Sequence, residues 1–121
     1  MSDLSFSIYG DSAAVTGCSA EASGSLTIPA AFEGHPVTCI QGEALAGCSK
    51  ISAVTVPNNL ERIDFGAFFG CTALEKVTLS ASVVKIGEGA FEGCSSLAEI
   101  NLQSVEDIAE DAFLGCESLD L

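Results

Sequence analysis

The residues of this 121-residue chain best suited to chemistry are six cysteines, one histidine and seventeen carboxylates. Four Gly-Cys pairs keep a fixed spacing: Cys48, Cys71, Cys94 and Cys116 stand 23, 23 and 22 residues apart. A fixed period of this length marks a stacked repeat. Equivalent residues on neighbouring rungs lie about 4.8 Å apart and point the same way, whereas a disulfide needs Cβ atoms at roughly 3.5 to 4.5 Å aimed at one another. The four therefore read as buried free thiols that pack as small apolar groups.

Cys18 and Cys39 lie outside this ladder. Cys39 falls where later repeats carry Arg62, Lys85 and Asp107, so an exposed side chain is expected. With His35 four residues before it, three readings stand open: a metal or nucleophile pair, a Cys18 to Cys39 disulfide, or ordinary surface residues. No C-x-x-C spacing accompanies the pair. The carboxylates form neither an EF-hand nor a Gly-rich calcium repeat, and "EDIAED" reads as a solvated turn. With one histidine, no Gly-rich phosphate loop and no Ser-His-Asp set, no catalytic, metal or cofactor site is expected.

The elements that position these residues follow from the period. Ile51, Leu74, Leu97 and Leu119 each come three residues after a Gly-Cys, then Val54, Val77 and Ile100, then Val56, Leu79 and Leu102. A second apolar pair follows, Leu60/Ile63, Val83/Ile86 and Val105/Ile108, and then Ala67-Phe68, Ala90-Phe91 and Ala112-Phe113. "VTV", "VTL" and "INL" alternate with period two, which predicts one short strand per repeat, apolar side inward. Gly and polar residues around "IGEGAF" bend the chain back through a turn or one 3-10 turn, with the Phe plugging the space between rungs. One repeat cannot bury its apolar face alone, but a stack buries a continuous one.

Upstream, "LTIPAAFEGHPVTCIQGEALAGC" is the same repeat with an expanded turn: Leu26 and Ile28 match Val54 and Val56, Val37 and Ile40 match Leu60 and Ile63, and Leu45 stands for the Phe. "FSIYGDSAAVTGC" predicts a hairpin capping the N-terminal edge. Residues 1–23 are thus assigned to a cap and 24–121 to the repeat, within one domain. The chain ends at Leu121 where another strand is expected. Further repeats or pairing with a second copy would cover that edge, and the second would make the chain a structural or scaffold unit, compatible with a place inside the cell, that self-associates through it.

Composition sets the limits on partners. Apolar residues make up 48% of the chain, enough for a core, while no run reaches the ~18 apolar residues of a membrane span. Met1 to Tyr9 has neither a basic segment nor a long apolar one of the kind that directs export. A net charge of -13 repels phosphate backbones and anionic lipids, so nucleic acid and membrane insertion are not expected. From Glu99 to Asp120 there are seven acids and no base, a negative surface that reads as a solvated face keeping an apolar stack in solution, or else as a cation site or docking surface for a basic partner.

The outward positions of the strands supply the candidate interaction face: Thr27, Thr55, Thr78 and Asn101 in one row, flanked by Ala53, Lys76 and Glu99. Small hydroxyl and amide groups offer hydrogen bonds without obstruction to a peptide or glycan, though Thr also simply suits an exposed strand.

The text "VPNNLERIDFGAFFGCTALEKVTL" and "VVKIGEGAFEGCSSLAEINL" resembles the BspA-like leucine-rich repeats of bacterial and some protozoan surface proteins. "LTIPAAFEGHPVTCI" resembles their entry segment, and the likeness covers residues 24 to 121. Leu45 for Phe, and Ser80 and Gln103 where Pro often stands, depart from it. The resemblance implies a curved right-handed leucine-rich-repeat solenoid, usually exported within a larger protein. It also implies adhesion or recognition of a protein or glycan partner, with no catalytic residues.

Overall fold

β-Branched residues alternating with polar ones build one strand of each turn, and the following apolar pair builds a second. The computed structural model describes residues 3–119. It opens on a hairpin of β1 (Leu4–Tyr9) and β2 (Ser12–Cys18). Gly10, at φ +63°, takes the first central position of its two-residue turn, where the backbone twist required by the strands favours glycine. Next come β3 (Gly24–Thr27), β4 (Ala31–Phe32) and β5 (His35–Ile40), with β4 folded back on β5 across Glu33-Gly34. Three turns follow in the same pattern: β6 (Ile51–Thr55) and β7 (Arg62–Ile63), β8 (Lys76–Thr78) and β9 (Lys85–Ile86), β10 (Glu99–Ile100) and β11 (Asp107–Ile108).

Two sheets result. The larger runs β1-β2-β5-β7-β9-β11 with β4 beside β5, and the smaller runs β10-β8-β6-β3. Apart from the two hairpins all pairings are parallel, and no helix forms among the described residues. The register matches the repeat: Leu26, Val54, Val77 and Ile100 pair in succession, as do Ile40, Ile63, Ile86 and Ile108. The solenoid and its hairpin cap are therefore as expected, with one correction: each turn has two strands. The second is two residues long in most turns, too short for any alternation to register, and is defined only by hydrogen bonds to the rungs beside it. The strand expected at Leu121 and the first two residues of the cap lie outside the described residues.

The core is a set of columns running along the stack. Phe68 and Phe91 stack with ring centroids 4.9 Å apart and planes 6° from parallel, and Phe113 continues the column at 5.5 Å and 3°. Leu45, fully buried, occupies the Phe position one turn earlier. Beside this column run the thiols. Cys71 donates to Leu45 O at 3.1 Å, Cys94 to Phe68 O at 3.1 Å and Cys116 to Phe91 O at 3.0 Å. These three Gly-Cys corners thus place a small donor under the carbonyl of the plug residue in the preceding turn, while Cys48 faces Ser19 O at 3.9 Å instead. The glycines before them hold φ between +74° and +79°, a conformation that costs an L side chain about 1 to 2 kcal/mol.

Serines stitch the turns just after the smaller sheet. Ser80 Oγ donates to Pro57 O at 2.6 Å, and Ser82 and Ser104 hydroxyls donate to Leu60 O and Val83 O. In the last turn Ile100, Leu102, Val105, Phe113 and Leu119 are half-buried, whereas Val77, Leu79, Val83, Phe91 and Leu97 one turn earlier are buried.

Candidate interaction surfaces

The smaller sheet carries the predicted row. Thr27 pairs with Thr55 and Thr55 with Thr78, all three exposed, and Ala53 pairs with Lys76 and Lys76 with Glu99. Outward alternation along β3, β6 and β8 puts the hydroxyls in one line, one per rung. Lys76 Nζ and Glu99 Oε2 lie 3.8 Å apart across two strands, both well exposed, an ion pair worth about 0 to 1 kcal/mol.

Asn101 extends the row in a different way. Its Oδ1 accepts from Leu79 N at 2.7 Å and its Nδ2 donates to Leu79 O at 2.8 Å. The side chain takes over the rung-to-rung bonding that backbone groups make one turn earlier, where Val56 N donates to Thr78 O. Thus Asn101 is exposed but engaged. A hollow of about 460 Å³ gathers Lys76, Thr78, Glu99 and Asn101 with Gln103 at the C-terminal end of this sheet; Thr27, Thr55 and Ala53 lie outside it.

Cys39 and His35 are not brought together as a site. They stand four residues apart along one strand, a span of about 13 Å. His35 Nδ1 lies 3.0 Å from Glu33 O in the tight turn. Cys39 is buried, which corrects the expectation of an exposed residue. The reason is local: it pairs with Ala14 of the capping hairpin on one side and Arg62 on the other, and its thiol donates to Asp64 Oδ2 at 3.2 Å. Asp64 is held in turn by Arg62 Nε at 3.3 Å. Burial, and then the carboxylate that accepts its proton, push the Cys39 thiol up to about 12, away from nucleophile range. Burial likewise pushes Cys18 up to about 12, with the Cys48 sulfur next in effect. No group of three or more potential metal ligands occurs among the described residues.

A second surface, on the turns that carry the Phe plugs, was not anticipated. Phe65 and Phe69 are 60% and 48% exposed and border a notch of about 220 Å³ with Glu43, Glu88, Glu92 and Asp111. Its signal was present in the repeat alignment. Phe65 stands where the other turns have Gly42, Glu88 and Glu110, and Phe69 where they have Ala46, Glu92 and Leu114.

Comparison with known proteins accords with the stack of turns and its columns. Residues 23–121 match the BspA type leucine rich repeat region in six copies. A leucine rich cell surface protein of Faecalibacterium prausnitzii A2-165 superposes with a TM-score of 0.87 at 32% identity, over 98% of this chain and 34% of its own. This chain therefore spans about a third of that protein. A leucine-rich repeat protein of Bacteroides capillosus gives 0.88 at 32% identity, over 100% of this chain and 93% of its own. The T. pallidum leucine rich repeat protein, at 22% identity and a TM-score of 0.69 over 97% of this chain and 66% of its own, shares the fold. No curated protein sequence matches the chain. The repeat, its columns and these likenesses together identify the chain as a member of the BspA-type leucine-rich repeat family.

Proposed function

We propose that the chain is a non-catalytic interaction module that works at a cell surface and contacts a protein, peptide or glycan through its smaller sheet. The observation that carries this reading is the in-register hydroxyl row of Thr27, Thr55 and Thr78, exposed and open, with Ala53 beside it. A repeat of donor-acceptor groups every ~4.8 Å suits an extended ligand lying across the strands, since each rung can meet one residue or sugar unit. The sheet itself, from β3 to β10, contains no aromatic residue. Contact therefore rests on many small polar groups rather than on one anchor. The surface setting is supported by the F. prausnitzii protein, which is a cell surface protein.

Two measurements test the proposal. Protease applied to intact source cells, followed with an antibody to this chain, is expected to destroy the signal; survival until lysis would end the surface reading. Beads coated with the purified chain are expected to be retained on neighbouring cells, and beads carrying Thr55→Arg/Thr78→Arg are not. Equal retention of both would remove the threonine row from the contact.

A further inference from the structure

The outer turns hold two phenylalanines that the stack does not need. The interior is already filled at Ala67-Phe68, and neither Phe65 nor Phe69 enters the buried column. Both belong to one turn, and the turn after it fills the same two positions with Glu88 and Glu92. Backbone bonds fix the spacing of the columns: Glu43 N to Phe65 O at 3.0 Å, Gly66 N to Glu88 O at 3.0 Å and Gly70 N to Glu92 O at 2.9 Å. The Phe65 ring is also held in place, because it lies over Gly42, where an added Cβ would collide with the ring carbons. Its face is thus preset at the surface rather than free to fold away.

Around these rings stand Glu43, Glu88, Glu92 and Asp111, with no basic residue lining the notch. An apolar aromatic floor inside an acidic rim has one chemical complement, a cation with a flat or apolar body. Arginine fits it best, since a guanidinium stacks on an aromatic face while its N–H fork meets carboxylates, which a lysine ammonium matches only as a point charge. A shallow notch of about 220 Å³ takes a single side chain. Negative charge continues beyond it, through Glu110 of the next turn, so further basic residues would find partners along the same side.

We propose that this notch docks an arginine side chain within a basic segment of a partner protein. The site lies on the turns and is independent of the threonine row, so either can fail without the other. The probe is acetyl-Gly-Arg-Gly-Arg-Gly-amide, titrated into the isotope-labelled chain by NMR, beside the same peptide with citrulline or with lysine for arginine. The arginine peptide is expected to shift the amides of residues 43, 65–70, 88–92 and 111. Citrulline, flat but neutral, leaves them unmoved, and lysine binds several-fold more weakly.

Phe65→Glu/Phe69→Glu gives this turn the residues of its neighbour, and so keeps the fold while adding two negative charges. Arginine affinity is nevertheless expected to fall about two- to fivefold, the worth of an exposed cation–π contact. Unchanged or tighter binding would overturn the proposal, because simple charge attraction would then suffice. Glu43→Gly/Asp111→Gly places in these turns the glycine that Gly66 and Gly89 supply in the others, and is expected to weaken binding with no loss of fold. Full binding by that variant, or equal shifts with the citrulline peptide, would equally refute the assignment.

Discussion

Phe68, Phe91 and Phe113 form one column inside the stack, while Phe65 and Phe69 sit outside on the turn of Phe68. The inner rings recur because each turn has the same gap to fill, which Leu45 fills one turn earlier. The outer rings occur once, at positions where neighbouring turns are content with Gly, Ala or Glu. In a stacked repeat, recurrence reports what the fold requires. Departure at an exposed position reports something else, and there the search for contact surfaces belongs.

Substitutions can break or sharpen this contrast. Phe91→Ala is expected to have the largest effect, about 3 to 5 kcal/mol, because Phe91 is stacked on both faces; urea unfolding measures it. A loss below about 1 kcal/mol would mean that the turns collapse around the void. Asn101→Ala removes both bonds to the Leu79 backbone and is expected to cost about 1 to 3 kcal/mol, while Thr78→Ala in the same row stays within about 0.5. Equal effects in parallel melts would deny Asn101 its structural role.

Alkaline pH is the third lever. The Cys39 thiol is raised from its ordinary value near 9 to about 12 in the folded chain. Above pH 9 the unfolded chain releases this proton and the folded chain keeps it, so stability falls as pH rises. The slope approaches ~1.4 kcal/mol per pH unit from this thiol alone until about pH 12. Cys39→Ala should lessen the fall in unfolding free energy between pH 9 and 11 by up to ~1.4 kcal/mol per pH unit, leaving the part that Cys18 contributes in the same way, and an unaltered slope would shift the cause to other groups. Smallest is Phe65→Glu/Phe69→Glu, expected to move stability by no more than about 0.5 kcal/mol, since both rings are surface groups. A cost like that of Phe91→Ala would make them part of the core and erase the contrast.

What was legible in the sequence was whatever each turn repeats. Ile40, Ile63, Ile86 and Ile108 could be aligned by eye, and their pairing follows that alignment. The strands at Arg62–Ile63 and Lys85–Ile86 were not legible, because two residues carry no period and their bonds come from chain some 23 residues away. Cys39 was misread as exposed for a related reason. Its cover comes from Ala14 and from the Arg62–Asp64 pair, none of them local. For Asn101 the outward direction was readable, but the grip of its amide on Leu79, 22 residues earlier, was not. The threonine row is in register, and the aromatic notch has no repeated signal because Phe65 and Phe69 have no aromatic counterpart in the other turns.

The thiol ladder also gives the molecule a built-in clock. Cys48, Cys71 and Cys94 occupy one equivalent position in successive turns, and each is buried within the stack. A thiol reagent can reach any one of them only after that turn lifts away from its neighbour, so the labelling rate of each sulfur times the opening of a single rung. Read one cysteine at a time, those rates would reveal whether the solenoid frays from an end or opens as a whole.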